Sequence, residues 1–116
     1  MRVALSVWGN RISPVFDSAG QLLLVDVDRS IEIKREVINI DNLPPMKRAS
    51  YLKNQEVDLL ICGALTRSMV ESLEANNIQY IPFICGNCEQ IISALLQNQR
   101  IEELFKMPGC HEDYNE

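Results

Sequence analysis

VDLLICGALTRSMVESLEANNIQYIPFICGNCEQIISALLQNQ, residues 57–99, is the stretch that decides the fold. It holds two strand–helix units in succession. VDLLIC (57–62) is an apolar run of strand length, and TRSMVESLEANN (66–77) places Met69, Val70 and Leu73 on one helical face. IQYIPFI (78–84) repeats the strand, with Pro82 marking a strand end or an edge. NCEQIISALLQNQ (87–99) repeats the helix, with Ile91, Ile92, Leu95 and Leu96 inward. Asn87, three positions before Gln90, matches the spacing of a capping box. Both units pass from strand to helix through Ile-Cys-Gly, at 61–63 and 84–86. Successive βα units place their strands side by side and parallel. Cys62 and Cys85 are therefore expected at the carboxyl ends of adjacent strands, the edge where open α/β sheets bind ligands.

Working outward, RVALSVW (2–8) reads as a strand, followed by a Gly-, Asn-, Ser- and Pro-rich loop, GNRISPVFDSAG (9–20). QLLLVDVD (21–28) and SIEIKREVINI (30–40) are strands joined so tightly at Arg29 and Ser30 that they must form an antiparallel hairpin. LPPMKRASYLKNQ (43–55) opens with two prolines, as helix starts do, and sets Met46, Ala49 and Leu52 on one face. The fold class is α/β, with parallel βα units around a sheet containing one antiparallel strand. Residues 1–105 form a single domain, and the polar KMPGCHEDYNE, residues 106–116, reads as a flexible C-terminal tail.

At 116 residues the chain has room for one core. A net charge of −5 argues against phosphate-backbone binding, so nucleic acid is not an expected partner. No apolar run reaches the roughly 20 residues of a membrane span, and the N-terminal apolar stretch is short for a signal peptide. The expected location is cytoplasmic, where four cysteines stay reduced.

Free thiols at Cys-x-x-Cys spacing then point to metal or redox chemistry. Cys85 and Cys88 flank the start of the last helix, where exposed amides and the helix dipole favour a thiolate. Two such thiols chelate one metal ion or one iron of a cluster. Cys110 and His111 in the tail and Cys62 at the sheet edge are the candidates to complete the set. The blander readings are a buried strand cysteine at Cys62, a solvated His111, and a CGNC pair without a role. A thioredoxin-like couple is set aside because its pair follows an early strand, whereas this one precedes the last helix. In the loop after Trp8, Gly, Asn and Ser suit close backbone approach to a ligand and Arg11 suits an anion; the alternative is a structured loop with Asp17 or Ser18 as a local cap.

VWGNRISPVFDSAG (7–20), between its two strands, resembles the dinitrogenase iron–molybdenum cofactor biosynthesis family, nitrogenase cofactor carrier and accessory proteins. The resemblance runs over nearly the whole chain, with SPVFD (13–17) its most specific part. It implies a ribonuclease H-like three-layer fold: a five-stranded mixed sheet in the order 3-2-1-4-5, strand 2 antiparallel, flanked by helices. It also implies a non-catalytic binding or carrier protein for an iron–sulfur or molybdenum-containing cluster, acting in metallocofactor assembly or delivery. Partners would be the cluster and a protein that donates or receives it. Where some members have His before the loop Phe, this chain has Val15. The expected cofactor-binding residues are Asn10, Arg11, Ser13 and Phe16, and the expected metal ligands Cys85, Cys88, Cys110, Cys62 and His111. The alternative is a structural or regulatory zinc-binding module using the same cysteines. A two-metal nuclease is disfavoured because RVALSVW carries no carboxylate.

Overall fold

Ten elements, eight of them in the expected order, make up a computed structural model that describes residues 1–108. They are β1 (Arg2–Trp8), β2 (Arg11–Ile12), β3 (Gln21–Asp28), β4 (Ile31–Asn39), α1 (Arg48–Asn54), β5 (Leu59–Ile61), α2 (Arg67–Ala75), β6 (Gln79–Ile81), α3 (Cys88–Leu96) and α4 (Ile101–Leu104). The sheet has six strands, not the five expected. The additional one is β2, created where Gly9, at φ +64°, turns the chain back so that Arg11 pairs with Trp8. Glycine at that position is what a two-residue hairpin with a left-handed first residue requires. The other five strands run β4-β3-β1-β5-β6. β3 is antiparallel to both its neighbours, while β1, β5 and β6 are parallel. The Arg29–Ser30 hairpin forms as expected, with both residues in the left-handed region at φ 54° and 65°.

Strand side chains alternate between faces, so each strand feeds two cores. On one face Val3, Leu5 and Val7 pack with Leu23, Val25 and Ile61 against α3, through Ile91 and Ile92, and against Ile101. On the other, Ala4, Leu22, Leu24, Leu60 and Cys62 pack against Ala49 and Leu52 of α1 and Met69 and Leu73 of α2. Each buried Leu or Ile contributes roughly 1.5–3 kcal/mol, an upper figure because the unfolded chain is already partly compact. The two cores therefore hold the middle strand, β1, from both sides.

One expectation about α1 is corrected. Met46 does not join the buried face of α1 but is 80% exposed. The prolines start a 3-10 turn at Pro45–Lys47 that swings Met46 outward, and α1 begins only at Arg48. Arg48 itself is buried. After Leu96 the chain continues into α4, anchored by the buried Ile101. Residues 105–107 then lie along the loop after β6. The Cys85 amide donates to Phe105 O and the Met107 amide to Phe83 O, both at 2.8 Å. Phe105 and Met107 are thus backbone-paired to the loop after β6, while Cys110 and His111 lie outside the described residues.

Candidate functional site at the carboxyl edge of the sheet

The loop 9–20 crosses the carboxyl ends of the parallel strands and is fastened there by backbone bonds. The Ile12 amide donates to Gly86 O, Phe16 to Ala64 O, Ala64 to Pro14 O and Cys88 to Asn10 O, all within 3.0 Å. It is thereby tied to both Ile-Cys-Gly loops. Gly63 permits the contact: a Cβ there would collide with the carbonyl oxygens of Pro14 and Ser13. Asp17 adds a side-chain tie. Its carboxylate accepts from the Thr66 hydroxyl at 2.6 Å and the Thr66 amide at 3.2 Å, while Thr66 Oγ1 caps α2 by accepting from the Met69 amide.

Arg48 holds the loop from beneath. Its guanidinium donates to the carbonyls of Phe16 (2.9 Å), Ala19 (2.6 Å), Ile40 (3.2 Å) and Leu43 (3.0 Å). Its Cζ also lies 5.9 Å from the centre of the Phe16 ring. Burial lowers its pKa, against the opposing fields of Asp17 and Asp41, yet a guanidinium keeps its charge. Four carbonyl dipoles receive that charge in place of a carboxylate. A basic residue in a helical stretch reads as solvent-facing, so nothing in the sequence flagged Arg48.

The expected ligand residues separate. Phe16, expected to touch a cofactor, is fully buried in the α1/α2 core and cannot. Ser13 is buried, its amide donating to Ser6 O at 2.8 Å. Asn10 and Arg11 remain exposed at the hairpin. Cys62 and Cys88 pack on opposite faces of the sheet, Cys62 in the α1/α2 core and Cys88 in the α3 core. Cys62 shares parity with Leu60, so it points away from Ile61 and α3. Burial, with the Asp17 field, pushes its thiol up to about 12. Cys85 is half-buried, its Sγ 3.6 Å from Lys106 O. Among the described residues no group of three or more His, Cys, Asp or Glu is placed to hold a metal ion.

Cys88 is the thiol with a cavity. It is the first residue of α3, and Asn87 caps the helix by accepting from the Gln90 amide at 3.1 Å, as its spacing suggested. A cavity of about 240 Å³ opens between the end of β1, the strands β3 and β4, and this helix start, with Asn10, Gln21, Arg35, Val37, Cys88 and Glu89 on its walls. Arg35 bridges it, paired with Glu32 on β4 and with Glu89 on α3. The Cys88 thiol is raised, not lowered as the helix position suggested. Burial leads, Glu89 adds to it, and the fields of Arg35 and Arg11 oppose both. The helix dipole is weakened at this point because Asn10 O already takes the Cys88 amide. Arg35 was another wall residue that its strand reading left unmarked.

Solved structures share this architecture. The protein PH0822 superposes with a TM-score of 0.82 at 17% identity, covering 100% of this chain and 99% of its own. The apo form of the orange protein from Desulfovibrio gigas superposes with a TM-score of 0.68 at 19% identity, covering 84% and 88%. At these identities the likeness is one of fold. Among curated proteins there is no match. The sequence profile of the family described as dinitrogenase iron-molybdenum cofactor matches residues 1–98, which take in the signature loop and both Ile-Cys-Gly units. This chain belongs to that family.

Proposed function

We propose that the protein binds and carries an iron–sulfur or molybdenum-containing cluster during metallocofactor assembly or delivery, with no turnover of its own. Family membership supports the cofactor-related role. The observation that carries the site is the cavity beside α3, where one thiol, Cys88, faces a space also walled by Asn10 and Arg35. Thiolates are soft ligands that suit iron–sulfur and thiomolybdenum units. Such units are commonly anionic, and the positive fields of Arg35 and Arg11 both reach the Cys88 sulfur. Binding would release the thiol proton, because burial holds Cys88 neutral until a metal takes its place. One thiol is an anchor and not a complete coordination sphere. The rest would come from the cluster's own sulfides, from Cys85, from Cys110 or His111, or from the partner protein that gives or receives the cargo. A tetrahedral zinc site would need four converging ligands, and the described residues do not assemble three. The strand order β4-β3-β1-β5-β6, with β3 reversed, supports a ribonuclease H-like reading of the fold.

Purification without oxygen, followed by metal and sulfide analysis and a visible absorption spectrum, tests this reading. Iron with sulfide, or molybdenum, in a coloured protein is expected. A colourless protein that takes up neither metal on anaerobic reconstitution would overturn it.

A further inference from the structure

A second cavity lies at the same end of the sheet with the opposite electrical character. It encloses about 460 Å³ and shares Val7 and Gln21 with the cavity beside α3. Its remaining walls include Trp8, Ser13, Ser18 and Asp41, and no Lys or Arg lines it. Its size falls within the range of small-ligand sites, which pair apolar walls with a few convergent polar groups.

We propose that this cavity binds an organic cation, a guanidinium or alkylammonium group seated between the Trp8 ring and the Asp41 carboxylate. Trp8 is 73% exposed. Exposure alone means little for one aromatic residue, but this one forms the wall of a polar cavity with a carboxylate, and indole is the best aromatic partner for a cation. Asp41 forms no salt bridge among the described residues. Its Oδ1 would lie 2.6 Å from a Cβ on residue 20, so Gly20 is what lets the carboxylate lie against the loop. Ser18 and Gln21, both exposed, supply a hydroxyl and an amide for the donors of a guanidinium. Arg48 shares a field with Asp41, but it also faces Asp17 and its N–H groups are taken by four carbonyls. An anionic cluster has no complement here. The site is therefore separate from the cluster cavity, and its failure would leave that reading untouched.

Trp8 is the sole tryptophan, so fluorescence excited selectively at tryptophan, past the absorption of the tyrosines, reports this cavity. The probes are N-acetyl-arginine methylamide, its neutral citrulline analogue, and a short arginine-containing peptide. A saturable change is expected with the arginine probe, weakened about two- to fivefold by Asp41→Asn, the share of one exposed charge pair. The neutral analogue should bind more weakly by a similar factor. Binding of the peptide roughly tenfold tighter than the single amino acid would identify the source as a protein segment, and equal binding would identify a small molecule. For Trp8→Leu, verified as folded, amide shifts of Ser18, Gly20 and Gln21 should lose saturation by the arginine probe. Equal responses to the arginine and citrulline probes, an unaltered affinity in Asp41→Asn, or no saturable response overturns the proposal.

Discussion

Cys62 and Cys88 stand near the same edge of one sheet, yet they occupy different chemical worlds. Cys62 follows β5 facing the α1/α2 core, without solvent contact, and its thiol is pushed up to about 12. Cys88 begins α3 on the other face, where it lines a cavity and two arginine fields work against its burial. Proximity to the ligand-binding edge is therefore a poor guide to which thiol can act. The face is set by strand parity, and reactivity is set by which charges reach the sulfur. The α1/α2 face works as the mount for the signature loop, and the α3 face offers the opening.

The mount can be broken most severely at Arg48. Replacing it with Met leaves the carbonyls of Ala19 and Leu43 without a donor, while Phe16 O keeps the Ala19 amide and Ile40 O keeps the Leu43 amide. At about 1–3 kcal/mol for each acceptor that water cannot reach, a loss of about 3–5 kcal/mol is expected in denaturant unfolding. A loss below about 1 kcal/mol would show that the loop does not depend on this face. Gly63→Ala comes next. Its methyl must displace the Ser13 and Pro14 carbonyls, which costs about 1–3 kcal/mol by overpacking and should shift the amide resonances of residues 13–16 and 64.

The pH dependence of stability separates the two thiols directly. Cys62 keeps its proton in the folded state to about pH 12, whereas an unfolded thiol loses it near the ordinary 9.0. Between those values the folded state binds more protons, so stability falls as pH rises, by up to about 1.4 kcal/mol per unit. Below pH 9 the contribution is fully present. Cys62→Ala should flatten this decline, a change read by urea titrations between pH 8 and 10.5. An unchanged slope would place the charge-excluding environment elsewhere.

The smallest effect is expected in the β3–β4 hairpin, far from both thiols. Arg29 and Ser30 occupy left-handed conformations that Asn and Gly adopt more easily. Replacing the pair with Asn-Gly should stabilise the fold by about 0.5–1 kcal/mol, without altering metal uptake. A change in uptake would mean that the hairpin communicates with the α3 cavity through β4.

Much of this arrangement was legible in the residues. The strands RVALSVW and QLLLVDVD have the limits their patterns suggested, and Asn87 caps α3 as its spacing required. β2 was hidden because two residues carry no periodicity, although Gly9-Asn10 is a turn signal. α4 was missed because one buried Ile101 in a charged segment gives no helical stripe. The site was less legible than the fold. LLIC already implied that Cys62 shares a face with Leu60 and not with Ile61, but the faces acquire meaning only once α3 and the α1/α2 pair settle on opposite sides. Phe16 was read as a ligand contact because its loop is distinctive, whereas the ring serves to anchor that loop in the core. Arg48 illustrates the limit: its partners are carbonyls, which every residue has, so no local pattern announces them.

The central claim is that the cluster is anchored on the α3 face, and one paired measurement tests it most directly. Cys88→Ser and Cys62→Ser proteins, each verified as folded, are reconstituted anaerobically with iron, sulfide and molybdate beside the parent, and bound metal is counted per chain. The account predicts that Cys62→Ser retains the parent's metal content, while Cys88→Ser loses most of it. Full retention in Cys88→Ser together with loss in Cys62→Ser would contradict the account.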